Sequence, residues 1–422
     1  MIKRGLVSKI RTVSLNSYVS MRSIQGLLVL FQILGLFLVI TRDIANFNKT
    51  KFYFLIVLFV FVFGSIKLVQ KFTRGDHYIV LIANMLFSIG ILEIYRLNPA
   101  MAFRQVIWFS IGIVAFWIVY LTLKYVKLWN KLYYFYAFVS YGLFLATLII
   151  GTRINGAKNW IRFGANFAFQ PSELIKIAFV FLIASFYKNR DKFEKNLLKR
   201  YSLHIFFYTF LGFLFIQKDL GSVLVFSGVF LFAQYMYEPH RKYMLVNFFV
   251  LCIGAVLGYI LFTHVKVRVK IWIDPFKYAD GMGYQIIQGF HAIASGGFFG
   301  TGLGLGRPDY IPFAESDYIF ASICEEMGIL MGMGVVMLFL ILTYRGIKTS
   351  MEQPNKFYRY VAFCLSLIFA FQALIMFGGI LKLIPLTGIT IPFVSYGGSS
   401  ILSSFISLGV LQYASEENII GG

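Results

Sequence analysis

The stretch QVIWFSIGIVAFWIVYLTL, Gln105 to Leu123, carries no charged residue and no proline. A helix of about 20 apolar residues crosses the roughly 30 Å hydrocarbon core of a bilayer. Only helices and closed barrels satisfy every backbone polar group there. Barrel strands are short and alternate apolar with polar residues; this run is continuous, so it reads as a membrane-spanning helix. The same reading along the chain marks eleven more segments: 24–40, 52–69, 78–95, 132–150, 171–187, 202–216, 220–237, 243–263, 318–344, 360–380 and 389–413. The fold class expected is an all-α polytopic membrane protein.

Composition agrees. The chain is 59% hydrophobic and 14% charged, with a mean hydropathy of +0.75. Soluble domains hold about 25% charged residues, so a soluble enzyme is excluded. Cys252, Cys324 and Cys364 fall in apolar runs without paired spacing, and the five histidines show no metal-ligand spacing. The first apolar run is as long as a full span and lacks a small-residue cleavage pattern, which argues against a cleaved leader.

The net charge of +21 is concentrated in alternate connections. Lysine and arginine stay on the cytoplasmic side of spans. One side therefore takes the N-terminal arm (Lys3, Arg4, Lys9, Arg11, Arg22), the connections with Lys67, Lys71 and Arg74 and with Lys124, Lys127 and Lys131, and the long basic stretch from Lys188 through Lys195 to Arg200. Arg241, Lys242, Arg345, Lys348, Lys356 and Arg359 join them, and both termini are expected in the cytoplasm. The charge is that of a positive-inside membrane protein, not of a nucleic-acid binder. Two long connections, Gly151 to Gln170 and His264 to Asp317, then face outward. The second is too aromatic for a free linker and is expected to fold as short amphipathic or re-entrant pieces.

Ionisable side chains at membrane depth cost about 2.5–3.5 kcal/mol on insertion scales, so each is a candidate site residue. Glu173 and Lys176, three apart on the helix opened by Pro171, share one face; they either fix helix packing or line a cavity. Asp219, in KDLGS, is either a helix cap or a site residue. Glu325 and Glu326 are adjacent, about 100° apart on a helix, so one is expected to face the interior and the other a backbone or water partner. Glu93 and Arg96 form a further candidate pair.

The run SGGFFGTGLGLGRP, Ser295 to Pro308, is too glycine-rich for a regular helix. It is a candidate phosphate nest, but it lacks the ending of a nucleotide-binding loop, which excludes ATP binding. LIPLTGITIPFVSYGGSS, Leu383 to Ser400, implies a broken start to the last span.

Together, NGAKNWIRFG (155–164), QPSELIK (170–176), KDLGS (218–222), GYQIIQ (283–288), AIASGGFFGTGLG (292–304), SDYIFASICEEMG (316–328) and PFVSYGGSS (392–400) resemble the SEDS family, the RodA, FtsW and SpoVE group. The resemblance implies a ten-helix core at 78–415, with the outer loop 264–317 before the tenth span. Two extra N-terminal transmembrane helices and a basic arm then occupy 1–77, and a short tail 416–422. It further implies a peptidoglycan glycosyltransferase that polymerises lipid II beside a class B penicillin-binding protein, in the bacterial cytoplasmic membrane. Glu173, Lys176 and Asp219 match the family's cavity residues. The family's catalytic aspartate belongs to a loop pattern that an ungapped match places on Tyr278. Asp280 and, as alternative, Asp274 stand nearby as candidate catalytic residues.

The expected mechanism has Asp280 taking the acceptor proton while Arg268, Lys270 or a divalent cation (Mg or Mn) steadies the pyrophosphate. Arg268 and Lys270 also read as membrane-surface anchors. The expected substrate-binding set is Gln170, Ser172, Glu173, Lys176, Asp219, Arg268, Lys270, Gln285 and Glu325. Two rival classes remain: a lipid flippase, for which no inverted hydropathy repeat is visible, and a noncatalytic scaffold for a transpeptidase.

Overall fold

Short polar caps set where the helices begin. Asp76 accepts from the Tyr78 N–H, Asn98 from Met101 and Asn355 from Phe357, at 3.0, 3.2 and 3.0 Å, each satisfying a donor that a helix start leaves unpaired. In the computed structural model, residues 21–41, 49–154, 157–164, 167–194 and 196–420 are described. Most of the basic arm expected at the N-terminus, and Lys195, lie outside them.

The longer helices are α1 Met21–Thr41, α2 Lys49–Phe72, α3 His77–Leu97, α4 Pro99–Tyr125, α5 Tyr133–Ile150, α6 Pro171–Lys188, α7 Ser202–Gln217, α8 Leu220–Tyr237 and α9 Arg241–Leu261. Two helices of the long connection 264–317 follow, α10 Thr263–Ile273 and α11 Tyr284–Gly296, and then α12 Ile319–Glu352, α13 Lys356–Ile380 and α14 Gly398–Ile420. Among the described residues, seven helices are long and apolar enough to cross a membrane: α3, α4, α5, α8, α9, α12 and α13. The chain is a multi-pass membrane protein.

Helices α3 and α13 are the centre of the bundle, with 89% and 83% of their apolar windows buried, whereas α9 has 11% and lies at the edge. Around them α4 packs on α14, α5 on α6, and α12 on α13. The last span has the broken start that its proline and glycine cluster implies. Its helix begins at Gly398, not at Ile389, and residues 381–397 run as irregular backbone. Gln105 compensates, donating Nε2 to the Ser395 carbonyl at 3.0 Å and accepting the Gly397 N–H at 3.2 Å. Non-helical backbone is tolerated at this depth only where protein supplies such partners.

The connection after α5, expected to face outward, is a three-stranded antiparallel sheet, β1 Thr152–Ile154, β2 Ala157–Phe163 and β3 Phe167–Phe169, in the order β1-β2-β3. Thr152 pairs with Trp160 and Ile161 with Phe169. The longer outer loop folds, as expected, into short helices. On α11 the buried positions are Ile286, Ile287, Gly289, Ala292 and Gly296, one face of an amphipathic helix.

At the opposite end the basic connections gather. Arg345 pairs with Asp76 at 2.6 Å, and Glu416 of α14 accepts from the Arg74 N–H at 2.8 Å and from the Tyr120 hydroxyl. Lys124 lies one turn from Tyr120, its ammonium over that ring. This places the connections 73–76 and 124–131 and the end of α12 on one face, as the charge pattern requires.

Candidate active site

Pro171 opens α6, where its fixed φ and missing N–H cost nothing. Ser172, Glu173 and Lys176 follow on its first turns, all buried. Lys176 Nζ lies 2.7 Å from Glu173 Oε1, and Ser403 of α14 donates to Glu173 Oε2 at 2.7 Å. The Gln170 N–H donates to Ser399 Oγ at 3.0 Å. The pair is thus neutralised and hydrogen-bonded on both carboxylate oxygens, as a buried charge requires.

Asp219 holds the second half. Lys218 adopts a left-handed conformation (φ 62°), which turns the chain from α7 directly into α8. Asp219 then caps α8, its Oδ1 accepting the Ser222 N–H at 3.1 Å. Its Oδ2 accepts from Gln170 Nε2 at 3.0 Å, Ser172 Oγ at 3.1 Å and Ser222 Oγ at 2.9 Å. Asp219 is therefore a helix cap whose second oxygen also gathers side chains from the start of α6. The carboxylate joins the start of α6 to the start of α8.

Arg268 reaches this group from α10. Its Nη1 donates to the Thr387 carbonyl at 2.8 Å, on the irregular stretch before α14. Burial pushes its guanidinium below the usual arginine range, while the negative charges of Asp317 and Asp219 oppose that shift. A guanidinium stays protonated regardless. Arg268 also lines an apolar groove of about 550 Å³ between α7, α8, α9 and α10, together with Phe215, Leu220, Val223, Leu251, Val265 and Leu386. Lys270, two positions on, is exposed; residues two apart on a helix point about 200° from each other, so α10 presents only Arg268 to the site.

Asp317 escaped the sequence reading because it ends the outer loop one residue before an apolar run and looks like a boundary charge. Burial raises its carboxyl from 3.8 to about 6, with Arg268 opposing the shift. The signal was its place in the SDYIF motif beside a span.

The remaining candidates lie apart. Asp274 and Asp280 are exposed; Asp274 Oδ1 accepts the Lys277 N–H at 3.2 Å. Among the described residues, no hydrogen bond or ion pair joins either one to Asp219, Glu173 or Arg268. Gln285 Nε2 donates to the Pro312 carbonyl at 2.8 Å, tying α11 to the end of the outer loop.

Glu325 and Glu326 form a separate clasp. The Gly-rich run is indeed a nest, but the chain's own carboxylates fill it: the Arg307 N–H donates to Glu325 Oε1 and the Gly304 N–H to Glu326 Oε2, both at 2.8 Å. Glu326 Oε1 also pairs with Arg96 Nε at 2.7 Å. Arg96 thus takes its partner from α12 and not from Glu93. Both glutamates find backbone donors, contrary to the expectation that only one would, because α12 breaks at Gly328 (φ 83°) and the loop wraps its first turns.

Residues 76–419 match the FtsW/RodA/SpoVE family, described as cell cycle proteins. The chain belongs to this family. Relatives of this SEDS chain include the peptidoglycan glycosyltransferase RodA of Mycobacterium tuberculosis, 32% identical over 84% of this chain and 81% of that protein. Stage V sporulation protein E of Bacillus subtilis is 31% identical over 81% and 97%. Solved structures show the same SEDS fold. A chain of a peptidoglycan synthase complex that coordinates polymerisation and crosslinking superposes with a TM-score of 0.69 at 23% identity, covering 82% of this chain and 98% of that one. Thermus thermophilus RodA gives 0.61 at 20% identity, covering 82% and 99%.

Proposed function

We infer that this SEDS chain is a peptidoglycan glycosyltransferase that polymerises lipid II at the outer face of the cytoplasmic membrane, with both termini in the cytoplasm, and that it works beside a class B penicillin-binding protein. The observation that carries this reading is the position of Arg268. One half-buried cation lines the apolar groove and feels the negative charge of Asp219, which Gln170 and Ser172 hold. A polyprenyl pyrophosphate needs that combination: an apolar channel for the tail and positive charge where negative charge grows on the leaving group.

In this mechanism the groove between α7 and α10 takes the lipid tail, Arg268 steadies the pyrophosphate, and Glu173, Lys176 and Asp219 hold the helix ends that shape the chamber. Asp280 takes the proton of the acceptor hydroxyl, with Asp274 as the alternative base. The exposed outer loop would bring Asp280 over the site once substrate and partner are bound. Among the described residues, no group of three or more His, Cys, Asp or Glu side chains is arranged to hold a metal ion.

The test is polymerisation by the purified protein with its partner and lipid II. Asp280→Ala is expected to abolish glycan chains, and unchanged polymer would remove that assignment. A second reading, a noncatalytic scaffold, draws on Tyr278 standing where the family pattern has its aspartate. Polymer from the wild-type complex excludes it.

A further inference from the structure

Gly388 lies on the irregular stretch before α14 with φ +72°. A Cβ placed there would be 3.6 Å from Asp317 Oδ2 and 3.8 Å from Arg268 Nη2. The carboxylate and the guanidinium therefore flank one point of backbone, yet they do not close into an ion pair. Asp317 is held in place by its own turn and by the stretch opposite. The N–H groups of Ser316, Asp317 and Tyr318 all point to the Phe313 carbonyl, Ser395 Oγ donates to the Ser316 carbonyl at 2.8 Å, and the Tyr396 N–H donates to the Glu315 carbonyl at 2.9 Å. Arg268 is held from the other side by Thr387. Acid and cation thus stand on either side of Gly388, and the cation also lines the apolar groove.

We propose that Asp317 is a second carboxylate of the glycosyl-transfer site, which carries a proton when the lipid pyrophosphate lies against Arg268 and gives it to the departing phosphate oxygen. This rests on the glycosyltransferase reading. The charged groups around Asp317 are Arg268 from α10 and Glu315 from its own segment. Arg268 in turn faces Asp219 at the head of α8 and stands near His264, which also feels Lys218. Burial already places the Asp317 carboxyl at about 6. The negative charge of a pyrophosphate bound beside it raises the affinity for that proton further.

The step balances. The acceptor hydroxyl oxygen bonds to the anomeric carbon of the donor sugar, and the bond from that carbon to the pyrophosphate oxygen breaks, leaving its electron pair on that oxygen. Asp280 receives the hydroxyl proton, and Asp317 delivers its own to the pyrophosphate. Two carboxylates then hold opposite roles because their surroundings differ, Asp280 exposed and Asp317 half-buried beside a cation.

The experiment is calorimetric titration of the protein in nanodiscs with farnesyl pyrophosphate near pH 7, in two buffers of different ionisation enthalpy. Wild-type protein is expected to take up roughly half a proton or more per site on binding. Asp317→Asn is expected to bind without that uptake and Asp317→Glu to retain it. In the polymerisation assay Asp317→Asn lowers kcat by about 100-fold, the scale of one general acid, and removes the alkaline fall of the wild-type profile. No binding by wild type, no uptake, or equal uptake in wild type and Asp317→Asn overturns the proposal. A wild-type complex that makes no polymer instead sinks the glycosyltransferase reading, while the titration, which needs no turnover, still decides whether Asp317 carries the proton.

Discussion

Gln170 and Asp219 are 49 residues apart and meet at 3.0 Å, the amide of one donating to the carboxylate of the other. This contact ties the start of α6 to the start of α8, with Asp219 capping α8. Asp219→Asn keeps an oxygen for the Ser222 N–H but removes the charge. Its melting temperature in detergent is expected to stay within a few degrees of wild type while polymerisation falls at least tenfold. Asp219→Ala loses the cap as well, at about 1 kcal/mol, and melts lower. Wild-type polymerisation by the Asn variant would show that the carboxylate serves only the helix.

Gly388→Ala tests the gap between Asp317 and Arg268. The left-handed backbone makes any side chain unfavourable by about 1–2 kcal/mol, and the new methyl group would stand within 4 Å of both charged groups. The variant is expected to fold, by size exclusion and a modestly lowered melting temperature, and to bind farnesyl pyrophosphate at least tenfold more weakly. Unaltered affinity would mean that the ligand does not enter there.

Glu326 anchors the Gly-rich loop through Gly304 and Arg96. Breaking a buried ion pair by deleting one partner costs on the order of 3 kcal/mol, so Glu326→Ala is expected to melt well below wild type and to expose residues 297–307 to limited proteolysis. Glu326→Gln, which can still accept from Gly304, is expected to fall between the two. Equal protease resistance in all three would show that the loop is held by other contacts.

The acidity of Asp317 gives stability a definite pH dependence. Its folded carboxyl lies at about 6 against an ordinary 3.8, so the folded state holds the proton more tightly than the unfolded chain. That contribution is complete below about pH 4 and is lost as pH rises through about 6. Asp317→Asn, which stays neutral, is therefore expected to melt above wild type at about pH 7.5, with the gap closing by about pH 4.5. A difference that does not change with pH would contradict the assignment.

Much of this was legible beforehand. The uncharged runs marked the helices, and the break around Pro385, Gly388 and Pro392 was visible as a proline and glycine cluster. The motif matches brought Glu173, Lys176 and Asp219 forward as one group. Ser399 and Ser403, which hold the α6 end, were not legible, because serine in a transmembrane helix most often bonds its own backbone. The glycine-rich nest was legible as a loop that binds negative charge. That the charge comes from Glu325 and Glu326 was not, since nothing in a linear pattern says which carboxylate a loop meets.

The sequence by itself determined that the chain crosses the membrane many times, which connections gather at the basic end, and that Glu173, Lys176 and Asp219 are charges set at the ends of apolar helices. These follow from the cost of each residue in hydrocarbon, which is local and additive along the chain. Only the tertiary structure decided that Arg268 and not Lys270 faces the site, that Arg96 pairs with Glu326 and not Glu93, and that Asp317 stands across Gly388 from Arg268. Those outcomes depend on helix rotation and on the path of irregular backbone between helices, and both are set by packing among segments far apart in the chain.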